Sequence, residues 1–253
     1  MCNLYSHTSN RDAIAAFVQD IKRIHENVGN LEPQPGIFPD YDAPIVRNTL
    51  EGRELAKVRW GLPSSQKALF DAASKRADKL REKGKDVNFD ELLKMEPDSG
   101  TTNVRNIITS TGKWNQHWNR WMGVENRCVV PFTSFSEFDN TVVNGTKNAD
   151  TWFAFDETRP LAFFAGIWVK DWTSVRKVRT GLETTDLFGF LTCEPNDVVG
   201  SIHMKAMPVI LTTKAEVEMW LTAPKDEAIS LQRPLPDGVL EIVSVGTKTD
   251  QAA

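Results

Sequence analysis

The sequence predicts an α+β fold built mostly from antiparallel strands, and three observations point there. Strand-like stretches rich in aromatic and branched residues crowd the second half: Cys128 to Phe135, Trp152 to Phe155, Leu161 to Val169, Leu187 to Cys193, Pro208 to Leu211 and Val239 to Val245. They are separated by short turn signals such as Asn144-Gly145, which suits a hairpin, and Arg159-Pro160. Helical patterns lie elsewhere and do not alternate with the strands, as a doubly wound sheet would require. One domain over residues 1–253 is expected.

Taken in order, Ile14, Phe17, Val18, Ile21, Ile24 and Val28 recur at three-and-four spacing, so Asn10 to about Val28 reads as an amphipathic helix stopped by Gly29. His25 lies near its apolar face and is read as a packed residue. Four prolines between Leu31 and Pro44 forbid regular helix, so that segment runs extended over the surface or along a sheet edge. Leu55 to Leu62 alternates like a strand and ends in Trp60-Gly61-Leu62-Pro63. Ser64 or Ser65 then caps a highly charged helix to about Lys83, and Asn88 with Glu91 caps a second, shorter one. Residues 64–97 thus form a charged helical excursion.

Thr102 to Arg105 is polar. Trp114, Trp118 and Trp121 fall on one helical face, which could stack bases but at this spacing reads as core. Thr213 with Glu216 opens a capped helix carrying Trp220, Pro224 ends it, and Lys248 onward reads as a frayed tail.

Composition bounds the function. The chain is 40% hydrophobic and 25% charged, which excludes a disordered polypeptide, and no apolar run nears the roughly 20 residues of a membrane span. No signal peptide is evident, so a cytoplasmic protein is expected. Cys2, Cys128 and Cys193 are widely spaced, and the four histidines lack HxxxH or HExxH spacing, so neither a disulfide framework nor a metal site is predicted. No cofactor is expected. A net charge of −4 gives no global attraction to nucleic acid, although Arg53 to Lys85 and the group Lys170, Arg176, Lys177 and Arg179 are locally basic.

The chemistry starts at Met1-Cys2-Asn3. Cys2 has a small side chain, so Met1 is expected to be trimmed, leaving an α-amine and a thiol two carbons apart. Reference pKa values of about 7.7 to 8.0 and about 8.5 would leave both nucleophiles partly available near neutral pH. An aldehyde is the matching electrophile: the amine forms a Schiff base and the thiolate closes a five-membered thiazolidine. Such capture needs positioning, proton transfer and a grip on the aldehyde's carrier. Asn103 offers an amide to orient an amine or sugar hydroxyl, and Arg105 a planar fork for phosphate. Glu137 sits between Phe135 and Phe138, where burial would raise its pKa as a general acid and base requires. His203 can shuttle protons and Lys205 can neutralise a phosphate. Each has a plainer reading: Glu137 at a strand end, Asn103 in a turn, His203 as a structural donor.

Together these residues resemble the SOS response-associated peptidase (SRAP) family, whose members form covalent adducts with abasic sites in single-stranded DNA. The resemblance rests on Met1-Cys2-Asn3-Leu4-Tyr5, Trp60-Gly61-Leu62-Pro63, Thr102-Asn103-Val104-Arg105-Asn106, Arg127 to Pro131 with Phe135-Ser136-Glu137, and Ile202-His203 followed by Met207-Pro208, in that order. It implies a bifurcated sheet folded into a pseudo-barrel with flanking helices, a cleft for single-stranded DNA, and a catalytic set of Cys2, Asn103, Glu137 and His203. Arg105, Lys205, Trp60 and Phe138 are the implied DNA contacts. This chain has Asn3-Leu4 where many members have Gly-Arg, Phe138 where tryptophan is common, and Lys205 where arginine is common.

The function this implies is a reversible thiazolidine crosslink between Cys2 and abasic sites in single-stranded DNA, with thiol autopeptidase and AP-lyase-type activities. The expected partner is single-stranded DNA carrying abasic sites, with no membrane and no metal, and nucleoid association when bound. The alternatives are a self-processing cysteine peptidase that removes its own N-terminal residue and a non-catalytic single-strand binding module.

Overall fold

The structure is a computed structural model that describes residues 2–143 and 146–250. Along the chain run β1 (Leu4–His7), α1 (Arg11–Phe17), β2 (Ile21–Ile24), β3 (Gln34–Ile37), β4 (Asp42–Thr49), β5 (Gly52–Trp60), α2 (Gln66–Arg81) and α3 (Phe89–Lys94). Then come β6 (Asn103–Val104), α4 (Gln116–Asn119), β7 (Arg127–Phe132), β8 (Ser134–Val143), β9 (Thr146–Ala154), β10 (Ala162–Val175) and β11 (Leu182–Cys193). The chain ends with α5 (Asp197–Gly200), β12 (Met207–Pro208), β13 (Ile210–Leu211), α6 (Lys214–Thr222), α7 (Lys225–Ala228) and β14 (Glu241–Val245).

Two sheets form. One has the order β14-β9-β8-β1-β3 and is antiparallel throughout. In the other, β5, β4, β7, β10 and β11 are neighbours in turn, and β11 returns to β5 in parallel through Leu187↔Arg59 and Phe188↔Trp60, closing a five-stranded barrel. The predicted α+β pseudo-barrel is therefore the observed architecture.

Period-2 alternation divides the side chains between two cores. Ile45, Ala56, Cys128, Val130, Phe164, Phe188 and Phe190 point inward, into a cluster that also takes Cys2, Tyr5, Trp60, Phe132 and Phe135. Val46, Leu55, Val129, Phe163, Ala165 and Leu187 point outward, where Ile14 of α1, Trp118 of α4 and Trp220 of α6 cover them. The Trp220 indole N–H is shared between the Cys128 and Gly166 carbonyls at 2.9 and 3.0 Å, which locks α6 onto β7 and β10. Inside, Phe132 stacks on Phe164 at 3.9 Å, and Tyr5 presents its edge to Trp60 at 5.0 Å, so β1 is held to the barrel by aromatic contacts. Each such pair adds about 0.5–1.5 kcal/mol beyond the area it buries.

Several expectations need correction. The helix read over Asn10 to Val28 stops at Phe17. Asp20 takes a positive φ of 61°, and Ile21 to Ile24 pair in parallel with β5 instead, because β-branched residues beside an open strand edge gain more from the ladder than from a second helical turn. Trp118 and Trp121 are buried in the core as read, but the helix there is a single turn, α4. The chain does not fray at Asp250, which is 2% exposed: its backbone N–H donates to Pro35 O, and its carboxylate meets Arg159 Nε at 2.7 Å. The Asn144-Gly145 turn lies outside the described residues.

Other expectations match. Residues 31–44 carry β3, an edge strand. Ser65 caps α2, Asn88 caps α3, and Thr213 and Glu216 complete a reciprocal capping box on α6. Within the charged excursion, α2 and α3 meet through Phe70 and Phe89, 5.3 Å apart.

Candidate functional site

Three chain segments converge on Cys2. β1 lies antiparallel to β8 with Leu4↔Ser136 and Tyr5↔Phe135, so the chain before Leu4 runs beside Glu137. β6 adds to the barrel's closing strand through Asn103↔Phe190. The third segment is the turn after α5, where the His203 N–H donates to Val199 O at 2.8 Å.

The Trp-Gly-Leu-Pro motif acts by holding β6 in place. Leu62 and Thr101 exchange backbone hydrogen bonds at 3.0 and 2.7 Å, and Gly61 and Gly100 both have positive φ. A Cβ on Gly100 would lie 2.9 Å from Gly61 Cα and 2.5 Å from Arg176 Nη1, so only glycine permits this approach. The Arg176 guanidinium bridges Gly61 O and Asp98 O. The result is a rigid seat for Thr102-Asn103.

Asn103 Nδ2 donates to Cys2 O at 2.8 Å and also lies 2.8 Å from Thr102 Oγ1 and 3.3 Å from Asn3 Oδ1. Thr102 Oγ1 donates to Asn3 Oδ1 at 3.1 Å. Cys2 is fully buried, with its Sγ 3.4 Å from Leu4 O. Opposite, Glu137 Oε2 is 3.6 Å from His203 Nδ1, which is also 3.2 Å from Ala206 O. The Ala206 carbonyl only accepts, so this nitrogen is assigned the proton.

Burial sets the electrostatics. It pushes the Glu137 carboxyl up to about 7, against the pull of the Arg105 charge. It lowers His203 from its ordinary value, with Arg105 and Lys205 acting in the same direction. Burial, and then the Glu137 charge, push the Cys2 thiol well above its ordinary value. A thiol partly ionised near neutral pH is thus not what the fold provides: at rest Cys2 is protonated, and a neighbouring base must take its proton.

The structure brings together all four of Cys2, Asn103, Glu137 and His203. Arg105 stands at the rim, half-buried, with its guanidinium donating to Lys205 O. Lys205 and Phe138 are exposed there, as is Met204. Trp60 is different: it is fully buried, stacked on Phe190 at 5.2 Å, and its indole N–H donates to Thr102 O at 3.2 Å. It cannot stack a base, and it supports the Asn103 segment from below. The basic clusters also shrink, because Arg53 pairs with Glu218, Arg59 with Glu183, and Arg176 is buried.

Sequence reading missed Thr102, Asn3 and Tyr5 as members of the site. Thr102 and Asn3 had a signal, since each adjoins a singled-out residue. Tyr5 packs its ring on Trp60, Phe164 and Phe190 under Cys2, a role that a single aromatic in a short strand does not announce.

A family model described as SOS response associated peptidase (SRAP) matches residues 1–252. The chain belongs to the SRAP family. Membership links this SRAP protein to the SOS response and DNA damage. Two crystal structures share its fold. One, of a protein from Bacteroides thetaiotaomicron, superposes with a TM-score of 0.60 at 20% identity, covering 95% of this chain and 90% of that one. The other, of a phage-related protein from Bordetella bronchiseptica, gives a TM-score of 0.59 at 16% identity, covering 95% and 92%. No curated protein matches the sequence.

A cleft of about 690 Å³ lies elsewhere on the SRAP fold, at the β4–β5 turn, where Arg47 is paired with Glu54 and Asp186. A smaller one of about 250 Å³ shares Arg105 with the Cys2 site. Among the described residues, no group of three or more His, Cys, Asp or Glu is arranged to hold a metal, and no helix is long and apolar enough to cross a membrane.

Proposed function

We propose that this SRAP protein captures the aldehyde of abasic sites in single-stranded DNA as a thiazolidine on Cys2, after removal of Met1, and so shields the lesion. The observation that carries the reading is the Asn103–Cys2 hydrogen bond beside the Glu137–His203 pair. One group fixes the backbone of the nucleophilic residue, and an acid–base pair faces it, Glu137 from the neighbouring strand β8 and His203 from the turn after α5.

The steps balance without a redox partner. Glu137, whose carboxyl burial pushes up to about 7, donates in its protonated form to the ring oxygen of the abasic sugar; the C1–ring-oxygen bond breaks, the C1 hydroxyl gives its proton to water, and the aldehyde is freed. The α-amine of Cys2 attacks C1, water leaves, and an imine forms. The Cys2 thiol then adds to the imine carbon: a C–S bond forms, the thiol proton passes by way of Glu137 to the nitrogen, and the five-membered ring closes. His203, kept neutral by burial, exchanges protons with Glu137, and the same path in reverse releases the DNA. Arg105 and Lys205 supply positive charge at the rim for backbone phosphates, and exposed Phe138 offers a face for a base.

The test is incubation with single-stranded DNA carrying one abasic site, followed by a denaturing gel. A heat-resistant shifted band with the wild type and none with Cys2→Ala is expected. Absence of a band with the wild type would overturn the reading.

A further inference from the structure

Asn103 is held by more than its bond to Cys2. The Thr102 carbonyl accepts from Trp60 Nε1 at 3.2 Å and from the Phe190 N–H at 3.4 Å, so the Thr102 side chain stands on a peptide clamped from two sides. β-Branching leaves that side chain few rotamers. Asn3 is held as well, between buried Cys2 and a Leu4 that pairs with Ser136.

Hydrogen-bond capacity then sets the Asn103 amide. A threonine hydroxyl has one proton to give, and Thr102 Oγ1 gives it to Asn3 Oδ1 at 3.1 Å. Towards Asn103 Nδ2, 2.8 Å away, the same oxygen is therefore an acceptor. Cys2 O, also 2.8 Å from Nδ2, is another. The two N–H bonds of Nδ2 are spent on these two oxygens, and turning the amide over would set oxygen against oxygen at both. Asn103 Oδ1 gains nothing from this orientation: it is buried and has no hydrogen-bond partner among the described residues. A buried amide oxygen without a partner is unfavourable, so the acceptors around Nδ2 hold the amide, and not the needs of its own oxygen. Asn3 stands where many SRAP members have glycine, which has no side chain to receive the Thr102 proton.

From this we infer that Thr102 and Asn3 are positioning residues of the Cys2 site. Together they form a latch that keeps the Asn103 amide donating to Cys2 O, and through it they aim the amine and thiol of Cys2. The inference rests on the Cys2 reading and deepens it.

Single-turnover adduct formation on single-stranded DNA with one abasic site, followed at several protein concentrations, separates the saturating rate from the half-saturating concentration. Thr102→Val keeps the shape and removes the hydroxyl. It should lower the saturating rate about fivefold, the worth of one neutral hydrogen bond, and leave the half-saturating concentration unchanged. Thr102→Ser should restore the rate. Asn3→Ala, at an exposed position, should lower it about threefold, and the double variant should be no slower than Thr102→Val, because both residues act on one amide. An unchanged saturating rate in Thr102→Val, or a loss that Thr102→Ser shares, would overturn the latch and leave the Cys2 reading intact, since adducts still form. If the wild type forms no adduct, the Cys2 reading fails. The latch is then judged by exchange of the Asn103 side-chain N–H protons in nuclear magnetic resonance: exchange about fivefold faster in Thr102→Val than in the wild type supports it, and equal exchange overturns it.

Discussion

Asn103 Nδ2 donates to the carbonyl oxygen of Cys2 at 2.8 Å, joining a residue of the barrel to one that precedes the first strand of the other sheet. The bond fixes the peptide plane after Cys2 and therefore the direction in which its amine and thiol project. Asn103→Ala should slow single-turnover adduct formation about tenfold, the worth of one positioning hydrogen bond, and lower stability by only about 1 kcal/mol. Asn103→Asp should be slower still, because a carboxylate then faces the carbonyl. The rate on a denaturing gel, read against the thermal midpoint, separates positioning from folding.

Glu137 ties activity to pH. Its carboxyl is raised from 4.5 to about 7 by burial, so the folded protein holds a proton that the unfolded chain releases. Between those values stability falls as pH rises; the favourable contribution is complete below 4.5 and is lost by about 7. Glu137→Gln should therefore gain on the wild type across that window, by about 2–3 kcal/mol in all, measured by denaturant unfolding at several pH values. Adduct formation needs the protonated acid and a free amine, so its rate should peak near neutral pH, and the fall above pH 7 should vanish in the variant.

Thiol reactivity gives an independent reading of the site. Burial raises Cys2 and Cys128 well above the ordinary range and pushes Cys193, the only half-buried one, up to about 12. Alkylation of the native protein by iodoacetamide at pH 7, followed by peptide mass spectrometry, should be slow at all three residues and fastest at Cys193. Rapid labelling of Cys2 would show a solvent-open thiolate and contradict the resting state described above.

The C-terminal segment should matter to stability. Asp250 joins Arg159, at 7% side-chain exposure, to Ser134 at the start of the strand that carries Glu137. Asp250→Ala removes the two hydrogen bonds from Arg159 Nε and Nη2, leaves the buried guanidinium only its contacts with Glu157, and should cost about 2–3 kcal/mol in urea unfolding. An unchanged midpoint would mean that the segment is only laid against the surface.

The set of residues that the fold brings together was more legible in the sequence than the local geometry. Cys2 stood out by its place behind Met1 and Glu137 by its apolar neighbours, while Asn103 and His203 entered as the amide and the proton carrier that such chemistry needs and as members of a set that resembles the SRAP family. The strands from Arg127 onward announced themselves by branched and aromatic residues. The stretch from Asn10 to Val28 did not, since its apolar spacing fits a helix and a parallel strand alike, and only the open edge of β5 decides between them. Trp60 misled for a related reason: an aromatic at a motif reads the same whether it faces a ligand or supports the loop that does. Asp250 looked solvated because its partner Arg159 lies 91 residues away.

The most direct test of the central claim is the intact mass of the species formed on single-stranded DNA with one abasic site. Thiazolidine formation predicts the chain without Met1 plus the oligonucleotide minus one water, and no such heat-stable species from Cys2→Ala. A covalent adduct that retains Met1, or wild-type protein that binds the oligonucleotide without any covalent mass, would contradict it.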